Sequence, residues 1–80
     1  GANLSGADLS GANLTEADLN GTNFQGATLV GADFRDVNFL RANLTDADLS
    51  EAKNLGPNGV AEAFLCRTKM PDRVEDRDCR

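Results

Sequence analysis

Every fifth residue from Leu4 to Leu49 is Leu or Phe. A helix repeats every 3.6 residues and a strand every 2, so a period of five belongs to neither element alone. The large residues are Leu4, Leu9, Leu14, Leu19, Phe24, Leu29, Phe34, Phe39, Leu44 and Leu49. Two positions before each stands a small residue, Ala in all but Thr22 and Val37. Between the two stands Asn or Asp, except at Thr28. Apolar, polar, apolar over three residues is strand alternation, with the outer pair facing one side. The next two positions are mostly polar or Gly, which suits a corner that restores the phase.

A three-residue strand followed by a corner, repeated, makes a coiling ribbon. If each corner turns the chain through about a right angle, four units close one turn, residues twenty apart stack, and parallel strands lie ~4.8 Å apart. The ten large residues then form four internal columns, one being Leu4, Phe24 and Leu44. An elongated, repeating core also fits the composition. Four Phe with no Trp or Tyr would fill a conventional core poorly.

The run A(D/N)LXX resembles the pentapeptide repeat family. The resemblance covers residues 1–52 and implies an all-β solenoid, a right-handed quadrilateral β-helix with four pentapeptides per coil. Two domains are expected, the β-helix at 1–53 and a C-terminal cap and tail at 54–80.

The chain carries a formal net charge of −5. Residues 1–53 hold eight acids against Arg35, Arg41 and Lys53, while 54–80 are balanced. That excludes the basic stripe that direct nucleic-acid binding needs. No segment is apolar and long enough to span a bilayer, so no membrane insertion is expected. The chain starts at Gly1, part-way into a unit, as a processed chain or a fragment of a longer array would. The open N-terminal coil is then free for end-to-end self-association, unless an upstream cap covers it.

No enzyme is expected. The chain has no His, no Ser with an evident base, and no cleft around its acid pairs that would raise a pKa. Neither cofactor nor metal is expected. The stacked Asn and Asp side chains have structural work in two forms, ladders along the axis or bonds to corner N–H groups. Calcium repeats of the Gly-Gly-x-Gly-x-Asp kind are absent.

Val30 and Leu40 break the outward polar rule, and Arg35 and Arg41 interrupt the acidic surface nearby. These four form a candidate patch for a protein partner of unspecified identity. After Leu49 the pattern frays, and Gly56-Pro57-Asn58-Gly59 breaks it. Residues 59–67 read as a short α-helix, with Val60, Phe64 and Leu65 as a lid over the coil end. Cys66 and Cys79 bracket a turn at Met70-Pro71-Asp72. A disulfide there would close a 14-residue loop, at ~3 kcal/mol in the loop-entropy model. The alternative is two unrelated thiols, Cys66 in the lid and Cys79 at a frayed end. The tail resembles the Cys-x-Thr-x-Met-Pro-Asp-Gly…Cys ending of pentapeptide repeat proteins from cyanobacteria and chloroplasts. Cys66, Thr68, Met70, Pro71, Asp72 and Cys79 match, and Arg73 stands where Gly is usual. The resemblance implies a thylakoid-lumen or periplasmic address, where a disulfide persists; a cytoplasmic address is the alternative.

Function reads best as a non-catalytic interaction or scaffold module. Two alternatives stand beside it. Some relatives mimic DNA and inhibit DNA gyrase, which would use the acidic charge. A fragment of a longer repeat protein would have a structural role alone.

Overall fold

The computed structural model describes residues 2–55 and 60–79. Each unit contributes one strand-like residue, the Asn or Asp position, to a parallel bridge with the unit twenty residues on. Asn3, Asn23 and Asn43 stack in this way, as do Asp8, Thr28 and Asp48. The third face stacks Asn13, Asp33 and Lys53, and the fourth Asp18 and Asn38. The backbone repeats the same bonds at each level. Asn23 N–H donates to the Ala2 carbonyl at 2.9 Å, and Leu4 N–H donates to the Asn23 carbonyl at 2.8 Å. Four units per coil is therefore the observed winding.

The corners are β-turns. Ala7 N–H donates to the Leu4 carbonyl at 3.1 Å, and φ is positive at the third turn residue, Gly6, at 69°. A positive φ at that position alone is the type II pattern, which favours Gly. The corresponding corner residue is not always Gly. Glu16, Asp36, Arg41, Asp46 and Glu51 all take φ between 58° and 61°.

Inside the coil, Phe24, Leu29, Phe34 and Phe39 fill the second level, joined below by Leu44 and Leu49, all fully or nearly fully buried. Phe39 meets both other rings, with centroids 6.1 Å from Phe24 and 5.1 Å from Phe34. Leu19 is buried, whereas Leu4, Leu9 and Leu14 in the first level are half-buried against the core.

The C-terminal α-helix expected at 59–67 is not seen over 60–67. The described residues contain no α-helix, and Val60–Glu62 form a turn. Phe64 instead bridges Asn43 in parallel, and Lys69 bridges Asp48. The reason is a resumed repeat in a shifted phase. Ala63-Phe64-Leu65-Cys66-Arg67 has a small inward residue, an outward one, a large inward one and a corner. Ala63 and Leu65 are buried, and Arg67 has φ 48°. Thr68-Lys69-Met70 repeats the same order, with Thr68 and Met70 buried. The spacing from Leu44 to Leu65 is 21 rather than 20, which absorbs an irregular stretch. Of the expected lid, Val60 and Leu65 lie in the core, but Phe64 takes the outward Asn position and is only half-buried. Residues 56–59, including the expected helix start, lie outside the described residues. The winding therefore runs past residue 53, where the sequence alone placed a boundary.

The stack ends in an antiparallel hairpin. Strand β1 (Thr68–Lys69) pairs with β2 (Val74–Glu75), so the second face closes on a reversed strand. Met70 N–H donates to the Arg73 carbonyl at 2.7 Å across this turn. Arg73 is not among the positive-φ residues, so no Gly is required there.

Candidate functional site

The outward Asn and Asp side chains are committed to their own corners. In nine units, from Asn3 to Asp48, Oδ1 accepts the backbone N–H two residues on, at 2.9–3.1 Å. Ser5, Ser10, Thr15 and Thr45 add a hydroxyl donor to the same oxygen. Of the two structural readings, the corner bond is the one that recurs. Bonding of this kind holds the Asp8 and Asp48 carboxyls below the ordinary carboxylate range, through the Ser10 and Ser50 hydroxyls first and the same residues' N–H groups second. A link between levels occurs at Asp33, which accepts from Asn54 Nδ2 at 2.8 Å and is lowered chiefly by that bond.

With the Asn and Asp ladder so engaged, the side chains that vary are those at the corners. The four patch residues fall on three successive corners of the second level. Val30 is half-buried, and its carbonyl accepts Gly11 N–H at 2.8 Å. Arg35 is exposed one corner on, with its carbonyl taking Glu16 N–H at 2.8 Å. Half-buried Leu40 and exposed Arg41 share the next corner, where Arg41 N–H donates to the Glu62 carbonyl at 3.0 Å. Four corners to a turn put Val30 diagonally opposite Leu40. Leu40, Arg41 and Arg35 remain on neighbouring corners.

The C-terminal end holds the disulfide expected from the sequence, and with it contacts that the sequence did not disclose. Cys66 and Cys79 form a disulfide, with Cα atoms 4.8 Å apart. Arg67 sits directly below Asp46 at one corner, with Nε 2.7 Å from Oδ1. That bond lowers the Asp46 carboxyl and raises the Arg67 guanidinium. Nη1 of Arg67 also lies 3.3 Å from Cys66 Sγ. Asp76 Oδ1 accepts Arg67 N–H at 2.8 Å and lies 3.6 Å from Cys79 Sγ. Asp78 ties the tail back by accepting Leu65 N–H at 2.9 Å. Arg77 reaches the Ala63 carbonyl. The buried Thr68 hydroxyl donates to the Leu44 carbonyl at 2.7 Å and accepts Cys66 N–H at 3.1 Å. Cys66, Asp76 and Cys79 cluster within 4.8 Å, but both sulfurs are spent on each other and offer no thiolate. An open groove of about 490 Å³ runs between Leu55, Val60 and Met70 on its floor and the Asp72–Arg73 ion pair on its rim.

A family model for pentapeptide repeats matches the chain in eight copies, over residues 1–36 and 26–53. The chain belongs to the pentapeptide repeat family. The match ends at 53, where the phase slips, although the winding of this pentapeptide repeat chain continues. A solved structure similar to it is a pentapeptide repeat protein from the Arabidopsis thaliana thylakoid lumen. The two are 33% identical, with a TM-score of 0.47, over 86% of this chain and 50% of that one. This chain thus spans about half the length of that protein. No curated protein sequence matches at a significant level.

Proposed function

We propose that this pentapeptide repeat chain is a non-catalytic interaction module whose recognition is carried by its corners. The observation that carries the reading is the division of labour along each unit. The small and large residues fill the interior, and the Asn or Asp bonds its own corner. Only the two corner residues are left to differ from level to level. Leu40 and Arg41, with Arg35 on the neighbouring corner, place an apolar side chain beside two cations on an otherwise acidic surface. A partner that suits them presents an apolar side chain flanked by carboxylates. The disulfide supports an oxidising compartment, and the tail motif supports a lumen or periplasm.

Affinity capture from a lumenal or periplasmic extract tests the reading. A species held by the wild-type chain should be lost with Leu40→Asp and retained with Val30→Asp, on the opposite corner. Equal capture by both variants would overturn the assignment to that corner.

A further inference from the structure

The two sulfurs of the disulfide differ in exposure and in the charged group nearest to each. Cys66 is 5% exposed, and its Sγ has the Arg67 guanidinium 3.3 Å away. Cys79 is exposed, and its Sγ has the Asp76 carboxylate 3.6 Å away. Arg67 is itself fixed, bonded by side chain to Asp46 on the level above and by backbone to Asp76. Thiol–disulfide exchange depends on access to the attacked sulfur and on how well the other sulfur leaves as a thiolate. Both factors here select the same direction. Of the two sulfurs Cys79 is the exposed one, and among the described residues the cation placed to receive a negative charge lies beside Cys66. A carboxylate beside Cys79 works against that sulfur as the leaving group.

We propose that the Cys66–Cys79 bond is a polarised exchange site for a dithiol reductant, attacked at Cys79 with Cys66 as the leaving group. In the first step the reductant's thiolate forms a bond to Cys79 Sγ. The Cys66–Cys79 bond breaks, and its electron pair leaves on Cys66 beside Arg67. In the second step the reductant's other thiol, as thiolate, attacks the mixed disulfide at its own first sulfur. Cys79 is released as a thiolate and takes up a proton. Two electrons have passed to the protein, and the reductant holds a disulfide. The consequence for the fold is local. Residues 70–79 change from a closed loop to a tail held by the Asp76 and Asp78 contacts and by β2. This inference does not depend on the corner reading, since it concerns the other end of the coil.

The test uses the oxidised chain and a small monothiol, cysteamine, whose ammonium group is compatible with Asp76. Brief reaction, an acid quench and peptide mass spectrometry locate the adduct. Cysteamine is expected on Cys79 in about tenfold or greater excess over Cys66, because access and leaving group act together. Adducts on Cys66, or equal amounts on both, would overturn the proposal, and this arm needs no variant. Arg67→Gln should slow the exchange by about threefold, because the leaving sulfur loses its neighbouring cation, and Arg67→Lys should restore most of the rate. An unchanged rate in Arg67→Gln would remove Arg67 from the mechanism.

Discussion

The level from Thr22 to Arg41 and the one from Ala63 to Met70 follow the same backbone path, but different interactions hold them. The upper level is held from inside. Phe39 touches both Phe24 and Phe34 within its cross-section, and an Asn or Asp bonds the corner in three of its four units. The lower level has Phe64 and Lys69 in the Asn and Asp positions and so lacks that corner bond. It is held from outside by a disulfide and the carboxylates of Asp76 and Asp78, and from inside by the buried Thr68 hydroxyl. The coil geometry therefore needs the small and large inward residues, whereas its corner support is replaceable.

Truncation should expose the contrast most strongly. Phe39→Ala removes the ring that touches both others and should cost about 3–5 kcal/mol in urea unfolding. Met70→Ala, at the end of the stack, should fall at the lower end of the range for such truncations, about 2 kcal/mol. Equal costs would show that the end of the stack is packed as firmly as the second level. Replacing both cysteines by Ser should lower stability by about 3 kcal/mol. The loss should appear as early proteolysis at residues 66–79 while the upper levels stay protected.

Smaller effects separate the corners from the core. Asp36 sits at φ 58°, which an L-residue adopts at a cost. Asp36→Gly should therefore raise stability by about 1 kcal/mol, read as a shift in urea midpoint at constant slope. The smallest effect is on pH. Asp8 and Asp48 are held below their ordinary range in the folded chain. Their stabilisation is complete above the unfolded carboxylate pKa, about 3.9, and is lost as pH falls through the lower folded value. The Tm should hold from neutral pH to about 5 and fall below about 4. Asp48→Asn keeps an Oδ1 acceptor for Ser50 and should flatten that fall. An unchanged acid limb would assign the sensitivity to other carboxylates.

The period of five made the coil and its four faces legible from Leu4 to Leu49, because one kind of residue at one spacing serves one purpose throughout. Beyond Leu49 the same geometry is written in other letters. Phe64 in an outward position turns Ala-Phe-Leu into a continuous apolar run, which resembles a helix face. A one-residue shift hides its phase from the rest. The small–x–large pattern in Ala63-Phe64-Leu65 and Thr68-Lys69-Met70 was the signal available. The patch residues were legible as departures from the rule, but neighbours in sequence are carried to different corners by the square section. The Arg67 contacts with Asp46 and Cys66 depend on the shifted phase and had no sequence signature.

At Gly6, Gly11, Gly26 and Gly31 an added Cβ would meet nothing within 4 Å. These corners are sockets in a pegboard, open in space and spaced vertically by the ~4.8 Å strand separation. A Cβ added there displaces no neighbour and incurs the backbone cost of a positive φ, about 1 kcal/mol. A designer could write a chosen column of charges or rings up one edge of this chain and leave its interior untouched.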